Sequence, residues 1–279
     1  MFWHTLVEAM VFVLSKYIAS FKIGIGHSLE YRFDFFVLIL STLFPIIVQV
    51  FLWYAVFGGS SDDVMYGFTL QQMLAYVAIA GAVGKFVTTG IEETVNNDIH
   101  SGKLASFLIK PLNYIQFRML QVFGQKLTPS VTLLVFTGAV LGVLWFLTGH
   151  ETELYSILFF IAALLLGLLL NFYIFILISI TAFWLTEVGR LFHAVNVILL
   201  VLSGGVFPIS IFGETYVYIS QYLPFQYTMY FPISVLTGSV TVFESCVGLL
   251  IQAMWIAVLC LSTKLLWNIG LNKFVAVGG

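Results

Sequence analysis

The richest group of side chains that could support acid–base chemistry lies in one short polar stretch between two apolar runs. Glu92 and Glu93 stand side by side, and Asp98 and His100 follow within about two helical turns. Paired carboxylates serve general acid–base catalysis only beside a pocket that holds the substrate, and nothing in the flanking sequence indicates such a pocket. The histidines also lack metal-ligand spacing such as HExxH. We therefore expect neither a catalytic residue nor a metal site in this chain.

Two glycine-containing segments invite comparison with nucleotide-binding loops. Gly81–Lys85 lacks the four residues that separate the glycines of a phosphate-binding loop, and no Ser or Thr follows its lysine. Leu202–Val206 is similar to the signature loop of ATP-binding cassette ATPases, but no phosphate-binding loop accompanies it. Because this segment ends an apolar run, we interpret its glycines as helix breakers. Any energy for work must then come from a partner or from a gradient.

The composition indicates a membrane protein. Hydrophobic residues make up 61% of the chain and charged residues 9%, whereas about 25% of a soluble domain is charged. Backbone polar groups in lipid must be satisfied internally, so the spanning elements are helices or closed barrels. The apolar runs are long and lack the two-residue alternation of barrel strands. We therefore predict an all-α membrane protein.

Apolar runs of about 20 residues, the length that crosses a bilayer, predict six transmembrane helices in a single transmembrane domain, residues 1–279. Residues 1–32 are predicted to be an amphipathic segment at the membrane surface, with a disordered extension as the alternative. Residues 213–243 contain prolines and many tyrosines, which favours a re-entrant or interfacial helix pair over a seventh span. The predicted spans are residues 35–57, 70–89, 120–148, 155–185, 191–208 and 245–267.

The positions of the charges predict the orientation. With six spans, every Lys and Arg falls on one side of the membrane, whereas the loops on the other side carry only acidic residues. Positive residues remain in the cytoplasm, so both termini are predicted to be cytoplasmic. The basic residues are Lys16, Lys22, Arg32, Lys85, Lys103, Lys110, Arg118, Lys126, Arg190, Lys264 and Lys273, and the acidic residues of the outer loops are Asp62, Asp63, Glu151, Glu153, Glu214 and Glu244.

The polar stretch that follows the second span is predicted to form a short amphipathic helix. Its apolar residues Ile91, Val95 and Ile99 share one face. The residues expected to stay in water are Glu92, Glu93, Asn96 and Asp98. Gly102 follows the helix and can supply a left-handed cap. An ordinary connecting loop is the alternative that these residues leave open.

Three segments in order resemble one family of membrane proteins. Ile99–Leu112 (IHSGKLASFLIKPL) carries a glycine and a leucine followed by further leucines and a proline. Ser203–Pro208 (SGGVFP) is followed by Leu223–Phe225 (LPF) and Tyr230–Pro232 (YFP), and Tyr31–Phe35 (YRFDF) precedes the first span. Together they resemble the membrane subunits of type-2 ABC (ABC-2) exporters, in particular the branch of small, uncharacterised permeases.

The resemblance implies a specific architecture and specific partners. The permease would have a surface elbow helix, six spans and both termini in the cytoplasm of a cell with the protein in its plasma membrane. It would pair with a second permease protomer, of the same or a different chain, and with ATP-binding subunits that hold ATP and magnesium; no nucleic acid is expected to bind. The implied contacts with the ATPase subunit, on a cytoplasmic coupling helix, are Glu92, Glu93, Asn96, Asp98, His100 and Gly102, and the implied residues of an outer re-entrant segment are Gly204, Gly205, Pro208, Pro224 and Pro232.

Two other functions remain open at this point. A membrane scaffold or assembly factor that binds partners without moving a substrate has the same composition. A gradient-driven carrier is disfavoured, because such carriers need ionisable groups near the middle of the membrane and the spans lack them.

Overall fold

A computed structural model describes residues 15–26, 32–59, 64–148, 153–185 and 188–274. Residues 1–14 and 27–31 of the predicted surface segment lie outside these ranges, as do Asp62, Asp63 and Glu151 of the predicted acidic loops. The described part is helical almost throughout, with one short β-hairpin, Val64–Met65 paired with Phe68–Thr69.

The described residues form twelve α-helices and two short 3₁₀ helices, Ile180–Phe183 and Ile209–Phe212. The helices are α1 (residues 15–26), α2 (Arg32–Gly58), α3 (Leu70–Val87), α4 (Ile91–His100), α5 (Lys103–Leu108), α6 (Tyr114–Gln125), α7 (Leu127–Thr148), α8 (Leu154–Ser179), α9 (Gly189–Leu202), α10 (Glu214–Ser220), α11 (Tyr230–Leu236) and α12 (Val242–Leu271).

Several helices are long and apolar enough to cross a membrane, which confirms a multi-span helical protein. Within the described residues there are 4 such helices, or 5 when α6 and α7, bent by 45° at their junction, are taken as one broken span. Helix α9 is apolar but shorter, with about 21 Å of rise. The four are Leu40–Gly58, Leu70–His100 (α3 with α4), Leu154–Phe183 and Val242–Leu271.

The predicted third and fifth spans differ most from the helices observed. The third was predicted as one continuous run, but the helix breaks at Lys126, between α6 and α7. The fifth was predicted to reach Pro208, but α9 ends at Leu202 because Gly204 takes a φ of +79°, which no helix continues. In both places a short polar or glycine-containing stretch interrupts the helix, and apolar residues resume beyond it.

Helix α8 lies at the centre of the molecule and packs against α3, α4, α11 and α12. Residues 203–232, which we call the outer segment after their predicted position, approach α8 closely at Gly167. A Cβ added there would lie 2.9 Å from the Thr228 carbonyl oxygen. The buried amide of Gln252 in α12 donates hydrogen bonds to the carbonyl oxygens of Ala163, at 2.9 Å, and Tyr227, at 2.8 Å. These contacts hold the outer segment, α8 and α12 together.

Residues 213–243 form two short helices, α10 and α11, and no spanning helix. Each has 7 residues, about 10 Å of rise, which is far less than a bilayer requires. Pro232 lies in the first turn of α11. Backbone N–H groups there have no partner within the helix, so the proline removes no intrahelical hydrogen bond. The turn between the two helices brings the Phe231 ring against Gly248 of α12.

Helix α1 lies directly against α6. Gly24 and Gly124 meet at the crossing, where a Cβ on Gly24 would lie 2.2 Å from the Gln121 carbonyl oxygen. The Tyr17 hydroxyl donates a hydrogen bond of 2.7 Å to the Gln116 side chain. The described part of the predicted surface segment is therefore a helix attached to the bundle.

Substituting Gly248→Ala should destabilise the protein by about 1–3 kcal/mol, the usual effect of overpacking a core. The added methyl group would lie 2.1 Å from Phe231 Cε2, so the ring and α11 must move. Gly138→Ala in α7 is the matched control, since no heavy atom lies within 4 Å of its added Cβ. The measurement is thermal unfolding in detergent, and equal midpoints for the two variants would contradict the packing described.

Candidate functional site

The polar stretch found in the sequence forms helix α4, which begins after Gly90 (φ +62°) and is followed by Gly102 (φ +71°). Both glycines adopt the left-handed conformation, so the helical backbone is interrupted on either side of α4. Ile91, Val95 and Ile99 pack into the bundle, as the amphipathic pattern predicts.

The opposite face of α4 is free in the described part of the chain. Glu93, Asn97 and His100 are exposed and follow a spacing of four and three residues, so they share one side of the helix. Asn96 is half-buried beside them. Asn97 is absent from the predicted contact residues, although its position four residues after Glu93 could have identified it.

Asp98 points inward and forms a buried ion pair with Arg118 of α6. The Tyr114 hydroxyl donates a second hydrogen bond, of 2.5 Å, to Asp98 Oδ2. Arg118 also donates to Gln121 Oε1 at 2.6 Å. Besides each other, the two charged groups have two partners, Tyr114 and Gln121, so directed hydrogen bonds offset the desolvation penalty of the pair.

Aromatic rings enclose this ion pair. The guanidinium of Arg118 lies 5.1 Å from the centre of the Phe107 ring, within the range of a cation–π interaction. Tyr114 stacks on Trp267 of α12, with ring centres 5.1 Å apart and an interplanar angle of 12°. The cluster therefore joins α4, α5, α6 and α12 into one packed unit.

Glu92 is buried at the beginning of α4 and connects it to α9. Its Oε1 accepts a hydrogen bond of 2.8 Å from the Asn196 side chain, while Oε2 has no partner among the described residues. Lys126, at the bend between α6 and α7, donates a hydrogen bond to the carbonyl oxygen of Thr88, just before α4. The beginning of α4 is thus held by α9 and by Lys126, and its last turn is held by the Asp98–Arg118 pair.

The burial of Glu92 and Asp98 corrects the prediction that both carboxylates stay in water. Their residues are 4% and 3% exposed. A local amphipathic pattern places charges in water because an unpaired buried charge is costly. The partners that remove this cost, Arg118 and Asn196, lie on other helices and cannot be read from the local pattern.

The predicted outer residues lie in turns and in close contacts of residues 203–232. The Gly204 carbonyl oxygen accepts a 2.5 Å hydrogen bond from the Tyr76 hydroxyl, and its missing side chain leaves room for Tyr230. Gly205 lies against Met229, and Pro208 precedes a 3₁₀ turn. Pro224 lies in the turn between α10 and α11, where its carbonyl oxygen accepts from the Tyr227 N–H at 3.2 Å.

A small polar cavity of about 30 Å³ lies between the outer segment and the beginning of α4. Thr88 and Asn196 line it from the α4 side, and Ser203 and Thr228 line it from the outer segment. Asn171 of α8 also lines it, and its buried Oδ1 has no partner among the described residues. The cavity has room for an ordered water that would bridge these groups. No cluster of three His, Cys, Asp or Glu suited to a metal ion occurs in the described ranges.

Substituting Asp98→Asn should lower the free energy of unfolding by about 3–5 kcal/mol, because it leaves the Arg118 charge buried without a counter-charge. Glu93→Gln, on the exposed face of the same helix, should change it by no more than about 0.5 kcal/mol. Urea unfolding in mixed micelles provides the measurement. The double variant D98N/R118Q should lose less than the sum of the single changes, and strict additivity would exclude the pair as a unit.

Comparison with known proteins identifies the family of this chain. No curated protein and no solved structure matches the chain. A model of the family described as "ABC-2 family transporter protein" matches residues 43–278, which is most of the chain. That range contains α4, its ion pair with α6 and the outer segment. The chain therefore belongs to the ABC-2 transporter family, as a membrane permease.

Proposed function

We propose that this chain is the permease subunit of an ATP-driven exporter and that α4 is its coupling helix, against which a separate ATPase subunit docks. The observation that carries the proposal is the two-sided character of α4. One face is fixed by a buried ion pair with α6, and the other presents Glu93, Asn97 and His100 to solvent. A helix that receives a mechanical displacement needs both properties.

The contacts of α4 suggest how such a displacement would be transmitted. Closure of the ATPase subunits on ATP and magnesium would push α4, and the Asp98–Arg118 pair would carry α6 with it. At its other end, Glu92 would move Asn196 of α9, which lines the small polar cavity shared with Ser203 and Thr228. The outer segment would then respond through packed contacts, since cores transmit strain rather than absorb it.

We propose six membrane passes, with both termini in the cytoplasm and the protein in the plasma membrane. Helix α9 and the residues that follow it to Pro208 would form the fifth pass, and α10 and α11 would remain in the outer half. Lys103, Lys110 and Lys264 belong to the α4 side in this arrangement, as the positive-inside rule requires. Exposed apolar residues of α2 and α9, such as Phe44 and Val197, suit contact with lipid or with a second permease protomer.

Reversing one charge on the exposed face of α4, Glu93→Lys, together with His100→Ala should reduce affinity for the ATPase subunit about tenfold. Co-purification and ATP-dependent transport should both fall, because the docking face is lost while the buried face is intact. The measurement is the amount of ATPase subunit retained by the purified permease.

Glu214→Lys in α10 is the matched control, since Glu214 is also an exposed helical carboxylate but belongs to the outer segment. It should leave the affinity unchanged. Equal loss for both variants would refute α4 as the docking site. Retained ATPase with no transport by the unmodified complex would favour the scaffold function.

Single cysteines placed at positions 273 and 214, after replacement of Cys246 and Cys260, should react with a membrane-impermeant maleimide from opposite sides. Intact cells should label position 214 only, and position 273 should react after the membrane is opened. Labelling of position 273 in intact cells would contradict the proposed topology.

A further inference from the structure

A cavity of about 480 Å³ lies on the α4 side of the molecule, between α12 and the segment that joins α5 to α6. Tyr114 and Trp267 form one wall, and Tyr173 of α8 and Cys260 of α12 line the cavity further along. From Cys260 to the end of α12 at Leu271 the helix rises about 16 Å. The cavity is therefore long enough to hold a headgroup and the first part of an acyl chain.

Two amides of this cavity have donors to offer to a ligand. The side-chain oxygen of Asn113 accepts from the Gln116 backbone at 3.1 Å, and the side-chain oxygen of Gln116 accepts from the Tyr17 hydroxyl at 2.7 Å. The NH₂ group of each amide has no hydrogen bond within the described residues. An anion can accept from these NH₂ groups.

Lys264 supplies a positive charge to the same cavity. It lies about 10 Å before the end of α12, and within the described ranges it has no hydrogen bond or ion pair. No Asp or Glu lines the cavity. An ammonium group among apolar residues of a spanning helix is costly and is normally paired.

A second observation points to a ligand. Thr263 lines the cavity and is 1% exposed, and its hydroxyl oxygen has no partner in the described structure. Buried hydroxyl groups are nearly always satisfied by protein, water or ligand. The groups that lack partners, Thr263 and Lys264, are neighbours on the same turn.

The side of the cavity facing the bilayer favours a lipid over a free anion. Leu261, Leu265 and Ile269 of α12 are all more than half exposed, so lipid chains would cover the helix beside the opening. Leu108 and Ile115 add apolar walls. The phosphate of a phospholipid would accept hydrogen bonds from the donors, and its acyl chains would pack against these walls.

We propose that this cavity binds an anionic phospholipid of the cytoplasmic leaflet, with Lys264 and the amides of Asn113, Gln116 and Asn268 around its phosphate. The site is separate from the exposed face of α4. It shares Tyr114 with the Asp98–Arg118 pair, so an occupied site restrains the unit that joins α4 to α6. Its binding test does not depend on an ATPase subunit.

The test measures binding to purified protein in nanodiscs made of phosphatidylcholine with a small fraction of phosphatidylglycerol, by native mass spectrometry of the lipids retained. Unmodified protein should retain phosphatidylglycerol selectively. K264Q should reduce that selectivity about fivefold, the effect of one lysine at an anionic interface. K273Q removes the same charge just after α12, outside the cavity, and should leave the selectivity for phosphatidylglycerol unchanged.

N268A provides a second variant should K264Q fold poorly, and it should also lower the selectivity. Equal losses for K264Q and K273Q would overturn the proposal, because they would indicate general surface attraction. Retention of phosphatidylglycerol with no preference over phosphatidylcholine would also overturn the proposal. Full displacement of the lipid by millimolar inorganic phosphate would assign the site to free phosphate instead.

Discussion

A carboxylate and a guanidinium can be buried together only if nearly every donor and acceptor they carry is used, and the Asp98–Arg118 pair imposes this condition on four helices. Tyr114 must be in place to donate to Asp98, Gln121 to accept from Arg118, and Phe107 to cover the guanidinium. Trp267 then stacks on Tyr114. Within α4, the helical spacing turns Asp98 inward while Glu93 stays exposed.

The second constraint comes from the bilayer, which cannot hydrogen-bond to exposed backbone. The outer segment is irregular, yet its turns are closed by its own contacts and by Gln252, which donates to two backbone carbonyl oxygens. Glycines at Gly167, Gly204 and Gly248 allow the backbone and rings to approach closely enough for this to occur. The small polar cavity at Asn171 is one place where packing is incomplete, and it lies between the outer segment and α4.

Much of the helical architecture could be predicted from the sequence, since continuous apolar runs and the spacing of Ile91, Val95 and Ile99 depend on local composition. The helix α4 and the left-handed cap at Gly102 are examples. The end of α9 agrees with the interpretation of Gly204 and Gly205 as helix breakers, although the predicted span was drawn to Pro208. The bend at Lys126 was missed because the span was drawn through the polar residues Gln125 and Lys126 on the strength of the apolar residues beyond them. The burial of Glu92 and Asp98 was not predicted, because their partners are distant in sequence. The local sequence pattern indicates only that an unpaired charge is costly to bury.

The most direct test of the account is a photocrosslinker, such as benzoylphenylalanine, placed at Asn97 in the assembled complex of permease and ATPase. Asn97 is the central residue of the exposed face of α4, and a crosslinker at Ser239, exposed after α11, serves as the reference. If the ATPase docks on α4, position 97 crosslinks to the ATPase subunit and position 239 does not. A crosslink from position 239 with none from position 97 would contradict docking on α4.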